Sequence, residues 1–207
     1  SLSVARGALL RLAKRLGARD CMVVVDESFV DFANDSANLS VEGWVEKTPN
    51  LAVIKSLSKS FGIGGLRLGY LLTSNPGFAN AVRSELHIWN VNGFAESFLR
   101  LAPRYRRAFR ESCVRVRANC DRLYEGLSRI PGITAYKPEA NFVMCRLPIP
   151  GLTAPEVAKR LFMDFNLYVK HCAGKNMPEA ARYLRIASRT EPENDMLVQA
   201  LWQCVET

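Results

Sequence analysis

The sequence predicts an α/β protein, on three observations. Short apolar runs, CMVVVDES (21–28), NLAVIKSLS (50–58) and LRLGYLLTS (66–74), alternate with segments of helical periodicity. The runs are rich in Val, Ile and Leu and end in polar groups, as buried strands of a parallel sheet do. The connections between them are polar and glycine-bearing, with no Asn-Gly type of hairpin turn.

The elements follow in order. Residues 3–18 read as an amphipathic helix, and the three apolar runs read as strands. NPGFANAVRSELHIW (75–89) reads as a helix opening near Pro76, and NVNGFAESFLRLA leads into a long basic helix. After Pro131-Gly132 the pattern changes to alternation, and residues 132–148 read as two half-buried strands with a turn near Pro138. TAPEVAKRLFMDFN (153–166) has Thr153 as N-cap and Pro155 in the first turn of a helix. LYVKHC (167–172) and RYLRIASR (182–189) read as strands, and residues 192–206 as a closing amphipathic helix. The change of character predicts two domains, 1–105 and 106–207, the second a small α/β unit that includes the long helix.

The bulk composition narrows the function. The chain has 207 residues, 48% hydrophobic and 23% charged, an ordinary balance for a globular core. No apolar run approaches the roughly 18–20 residues that span a bilayer, and arginines interrupt the first segment where a signal peptide would be continuous. Six scattered cysteines without CxxC spacing suggest reduced thiols in a cytoplasmic protein, with no metal site. The net charge is +8, and residues 100–129 carry nine arginines. A nucleic-acid footprint is one reading of that segment. A solvated helix is the other, with Phe109, Val116, Leu123 and Leu127 facing a core, and no nucleic-acid motif accompanies the charge.

The stretch LAVIKSLSKSFGIGGLRLGY (51–70) carries the chemistry. A lysine just past a buried strand sits where open α/β sheets bind ligands, and its amine can attack a carbonyl. Ser56 and Ser58 offer hydroxyls, and Arg67 offers a forked donor suited to phosphate. A lysine nucleophile beside a phosphate grip is what pyridoxal phosphate requires, together with a carboxylate at its pyridine nitrogen. Asp26, ending the run VVVD, is the candidate for that carboxylate.

These residues amount to a signature. SLSKSFGIGGLRLGY resembles the lysine motif of the fold-type I pyridoxal-phosphate enzymes, aminotransferase class I/II, and VVVDESF resembles their aspartate motif. YLRIASRTEPEND (183–195) looks like their C-terminal substrate-binding segment. The resemblance implies the aspartate aminotransferase fold, of which this chain would be the later part of the large domain plus the small domain. It makes Lys59 the residue that carries the cofactor as a Schiff base and shuttles the proton. Asp26 would pair with the pyridine nitrogen, Ser56, Ser58 and Arg67 would hold the phosphate, and Arg185 would grip the substrate carboxylate. Phe29 stands where the family usually has a tyrosine that donates to the cofactor's 3′-oxygen.

Within the family the chain is similar to the histidinol-phosphate aminotransferase subgroup, and DESFVDFA resembles its threonine-phosphate decarboxylase branch. Arg189, two residues after RIA, points the same way. The resemblance therefore implies an aminotransferase for an amino acid, plain or phosphorylated, with decarboxylation of a phosphoamino acid as the alternative. Lys170, His171 and Arg189 would suit a phosphorylated substrate. It also implies a homodimer and a fused or missing N-terminal region, with no nucleic-acid or membrane partner. The reading from another class is a non-catalytic or nucleic-acid-binding domain on a degenerate fold of this type.

Overall fold

A computed structural model describes residues 3–148 and 151–206. The chain divides into two compact units, Ser3–Cys113 and Val114–Thr207. In the first, helix α1 (Arg6–Gly17) leads to strand β1 (Val23–Asp26), a 3-10 turn (Val30–Phe32) and the single-turn helix α2 (Ser36–Leu39). A second 3-10 stretch (Glu42–Lys47), strand β2 (Leu51–Ser56), the short helix α3 (Leu57–Ser60) and strand β3 (Gly69–Thr73) follow. Helices α4 (Pro76–Ser84) and α5 (Gly93–Leu101) close this part of the chain. The long helix α6 (Arg106–Ser128) runs through the division between the units.

The first sheet has the order β1-β2-β3. β1 and β2 are parallel, with Val23 opposite Leu51 and Asp26 opposite Ile54. The third strand departs from the parallel pattern the sequence suggested: β3 runs antiparallel to β2, Ser56 opposite Gly69. The physical reason lies in the connection, which turns back at the end of β2 where a parallel neighbour would need a crossover along the sheet. The Leu57 N–H donates to the Leu68 carbonyl and closes that loop at its base. Gly69 is required there, because a Cβ would come within 2.9 Å of the Lys55 carbonyl oxygen. One face of the sheet, with Val23, Leu51 and Val53, forms a core with Ala13 of α1 and with Val41 and Val45. The other face leaves Val24 and Ile54 exposed. The helix expected over 75–89 ends at Ser84, and Ile88 and Trp89 lie beyond it, exposed.

In the second unit, β4 (Thr134–Tyr136), β5 (Phe142–Arg146), β6 (Lys170–His171) and β7 (Tyr183–Ala187) form an antiparallel sheet of order β4-β5-β7-β6. Helix α7 (Ala154–Phe165) opens on a capping box: the Thr153 N–H and hydroxyl both donate to the Glu156 carboxylate, and Pro155 sits in the first turn. It ends at Asn166 in the left-handed conformation, φ 55°. Helix α8 (Glu191–Glu206) completes the unit. Leu123 and Leu127 of α6, Val157 and Leu161 of α7, and Leu201 of α8 bury Val143, Leu184 and Ile186 of the sheet. No two cysteines are bonded, and five of the six are buried. Burial pushes the Cys145 thiol up to about 12, so it packs as a small apolar group. Among the described residues no helix is long and apolar enough to cross a membrane.

Candidate active site

The candidate residues of the first unit gather at the ends of β1 and β2. Parallel pairing brings both carboxyl ends to one edge of the sheet, and the register opposes Asp26 to Ile54. Side chains alternate along a strand, so Asp26, Ile54 and Ser56 share a face, the one left open. Asp26 is exposed. Its Oδ1 accepts the Ser28 N–H at 2.9 Å and the Ser28 hydroxyl at 2.5 Å.

The turn after Asp26 is held from both sides. The Glu27 N–H extends the ladder by donating to the Ile54 carbonyl at 2.9 Å. The Glu27 carboxylate is buried, 4% exposed, and accepts the Val41 N–H at 2.6 Å and the Ser40 hydroxyl at 2.8 Å. A buried carboxylate needs such donors, since an unpaired one would be strongly disfavoured. Phe29 is half-buried and begins the 3-10 turn that carries Asp31.

Lys59 lies not in an open loop but in α3, a single helical turn directly after β2. Ser56 caps that turn: its Oγ accepts the Ser58 N–H at 3.3 Å, while its own N–H donates to Ser28 Oγ at 3.0 Å. Ser56 and Ser58 are half-buried and Lys59 is exposed. Arg67, also exposed, sits at φ 55° at the end of the glycine-rich connection and donates to the Gly64 carbonyl at 3.3 Å. The left-handed backbone at a non-glycine residue is uncommon, and here it turns the chain into β3.

A second cluster, absent from the sequence-based expectations, fixes the strands behind this edge. Lys55 Nζ pairs with Asp31 at 2.8 Å and lies 3.8 Å from Glu42, with side chains of Lys55 and Asp31 largely buried. Tyr70, opposite Lys55, donates to Glu42, and burial followed by that hydrogen bond raises its phenol. Lys55 and Lys59 are thus one helical turn apart in sequence but serve differently: the first is consumed by an ion pair, the second projects from α3. The sequence held one signal for this: Lys55 stands inside an apolar strand, where a charge must have a partner.

The other candidates belong to the second unit. Arg185 lies on β7 opposite Met144 and Lys170, so these three share a sheet face, and its guanidinium stacks 4.0 Å above the Phe142 ring. Lys170 and His171 are exposed on the edge strand β6. Arg189 is engaged in capping α8: its Nη2 donates to Glu193 at 2.9 Å and its N–H to Asn194 Oδ1 at 2.9 Å. Among the described residues no group of three His, Cys, Asp or Glu side chains could hold a metal ion.

Asp26 and Ser56 at the strand ends, Ser58 and Lys59 on the turn after β2, and the antiparallel α/β unit that follows fit the fold-type I aminotransferase class of architecture. The chain belongs to the aminotransferase class I and II family, whose model matches residues 4–201. It is 44% identical over 205 residues to the CMP-5'-(3-aminopropyl)phosphonate synthase of Streptomyces rubellomurinus, covering 99% of this chain and 32% of that protein. It is 36% identical to the L-serine phosphate decarboxylase of Sulfurospirillum multivorans, covering 86% of this chain and 46% of that protein. The fold is shared with the histidinol-phosphate aminotransferase of Clostridium acetobutylicum, at a TM-score of 0.89 and 23% identity, over 98% of this chain and 60% of that one. The chain thus spans from just under a third to just under a half of the length of these curated relatives.

Proposed function

We propose that this chain is the lysine-bearing part of a pyridoxal-phosphate enzyme that acts at the α-carbon of a phosphorylated or phosphonate-bearing amino acid, by decarboxylation. The observation that carries the reading is the gathering of Asp26, Ser56, Ser58 and Lys59 at one edge of two parallel strands. The donor set fits the cofactor. Both Ser28 donors fall on Asp26 Oδ1, so Oδ2 can accept from a ring N–H. Ser56 Oγ uses a lone pair on the Ser58 N–H and keeps its hydrogen for a phosphate oxygen. The Arg67 guanidinium supplies a forked, charge-assisted donor.

When bound, pyridoxal phosphate supplies an electron sink for the pair left at the α-carbon when a bond there breaks. The protein's residues do the rest. Asp26 would keep the ring nitrogen protonated, and Ser56, Ser58 and Arg67 would hold the phosphate. Lys59 Nζ would hold the cofactor and would be the amine that moves a proton at the α-carbon. Arg185 takes the substrate carboxylate, and Phe29 leaves the 3′-oxygen without the phenol donor a tyrosine would offer. Decarboxylation is favoured by the phosphoserine decarboxylase at 36% identity and by DESFVDFA. Transamination is the second reading, favoured by the family match itself. The enzyme is cytoplasmic in this proposal by its free cysteines, and homodimeric by the family resemblance.

The test uses the full-length protein with added cofactor. Uptake should give a visible absorbance band, and borohydride should fix the cofactor on Lys59. Phosphoserine, phosphothreonine and histidinol phosphate are then supplied, and released CO₂ is compared with keto-acid-dependent amino transfer. A folded, full-length preparation that forms no adduct defeats the proposal. Salt-sensitive binding of DNA or RNA by that same preparation would favour the non-catalytic reading.

A further inference from the structure

We infer that Ser28 is a positioning residue that couples the orientation of Asp26 to the placement of the Lys59 turn. The inference rests on the proposed cofactor chemistry and goes beyond it, since no part of the motif assigns Ser28 a role. Ser28 is buried, 9% exposed, between the two strand ends. Its hydroxyl hydrogen goes to Asp26 Oδ1 at 2.5 Å, and an oxygen lone pair takes the Ser56 N–H at 3.0 Å. Its backbone N–H adds a second bond to the same Oδ1 at 2.9 Å.

One hydroxyl therefore gives in one direction and accepts in the other, which no apolar side chain of that size can do. Two donors from one residue converge on Oδ1, and this fixes the plane of the carboxylate and leaves Oδ2 to face a ligand. The other half of the bridge reaches the residue that caps α3, because Ser56 Oγ in turn accepts the Ser58 N–H, next to Lys59. A run of hydrogen bonds thus links Asp26, Ser28, Ser56 and Ser58, with its long-range step, Ser56 to Ser28, bridging 28 positions of sequence. The groups that would meet opposite ends of the cofactor, the aspartate and the lysine turn, share this one internal support. Preorganisation of this kind matters because a ligand held at both ends loses affinity when either end wanders.

The experiment compares Ser28→Ala, Ser28→Thr and Ser40→Ala in the full-length protein. Ser40→Ala removes a donor from Glu27 in the same turn without touching Asp26, so it reports plain loosening of the turn. In cofactor-free protein, hydrogen exchange at the Ser56 amide should accelerate in Ser28→Ala and stay slow in Ser28→Thr. With pyridoxal phosphate titrated in, Ser28→Ala should bind about tenfold more weakly, as expected for about one charge-assisted hydrogen bond. Its visible band should shift, and threonine should restore both affinity and band. Should Ser28→Ala fail to fold, Ser28→Cys, a weak donor of similar size, carries the same comparison. Wild-type affinity and band in Ser28→Ala, with the Ser56 amide released, overturn this inference and leave the proposed function standing. Equal losses in Ser28→Ala and Ser40→Ala overturn it too. A wild-type protein that takes up no cofactor overturns the functional reading, and the inference with it.

Discussion

The two units of the chain solve opposite problems with the same kinds of element. The second closes a core in which three helices cover one face of a four-stranded antiparallel sheet, with Leu184, Ile186, Leu161 and Leu201 removed from water. The first covers one face of its sheet with a thin layer, Ala13, Val41 and Val45 over Leu51 and Val53, and leaves the face of Asp26, Val24 and Ile54 open. Its ordering at the strand ends comes from polar bridges: Ser28 to Asp26 and Ser56, Glu27 to Val41, Lys55 to Asp31. Apolar packing is tolerant of substitution by shape, whereas a polar bridge fails when one atom is lost. A site that must hold a charged ligand in one pose is better built from the second kind of contact.

The largest effect separating the two units should come from Lys59→Ala. Under the proposed function, loss of the Lys59 amine should lower turnover by on the order of 10²–10⁴-fold while leaving thermal unfolding near wild type, since Lys59 is exposed and buries little. A measurement of kcat beside Tm checks this, and a large fall in Tm would break the distinction between site and scaffold. The core comparison comes next. Leu201→Ala should cost about 2–5 kcal/mol in denaturant unfolding, the usual range for a buried leucine. Ile54→Ala, at a position 38% exposed, should cost about 1 kcal/mol. If the two costs match in the full-length protein, the open face of the first sheet is covered there.

An effect between those of Leu201→Ala and Ile54→Ala should follow from Lys55→Met. It removes one partner of a largely buried ion pair and leaves Asp31 without its cation beside Glu42. The expected loss is about 2–3 kcal/mol, below that of a fully buried pair because both side chains keep some exposure. The double variant Lys55→Met, Asp31→Leu should recover most of it, and no recovery would show that the pair does not hold the strands.

What was legible in the sequence follows the same division. The helices and strands of the second unit could be read from periodicity, and the cap of α7 from Thr153 and Pro155, because these signals are local. In the first unit the apolar runs marked β1, β2 and β3, and the lysine and aspartate motifs picked out the residues that parallel pairing brings to one edge. The antiparallel direction of β3 was not legible: its connection is long, and the bond that closes it, Leu57 to Leu68, has no short turn signature. Nor were the partners of Ser28, Glu27 and Lys55, which lie 28, 14 and 24 positions away. A serine in a turn looks the same in sequence whether its hydroxyl meets water or two strand ends. The one-turn helix around Lys59 was hidden for a related reason, since its cap is Ser56, a residue that reads first as strand.

The smallest expected effect concerns the start of α8, where the second unit uses a polar device of its own. Glu193 accepts the Thr190 hydroxyl at 2.5 Å and the Thr190 N–H at 3.0 Å, and Arg189 donates to its other oxygen. The Thr190 hydroxyl, then Arg189, then the Thr190 N–H hold the carboxyl down from its ordinary 4.5 to about 2. A depressed acid stabilises the fold while it is ionised, so its contribution is present above pH 4.5 and is lost as the pH falls toward 2. Protection of the first amides of α8 should fade across that window in wild type, and Glu193→Gln should show little of that change. Because the Glu193 side chain stays 43% exposed, salt should weaken the effect. The same titration in Arg189→Gln sharpens the contrast with the first unit: the Glu193 carboxyl should rise only partway, because the Thr190 hydroxyl remains. A full return to 4.5 would mean that Arg189 alone governs the cap. A midpoint left unchanged would mean that the Arg189 guanidinium adds nothing to it.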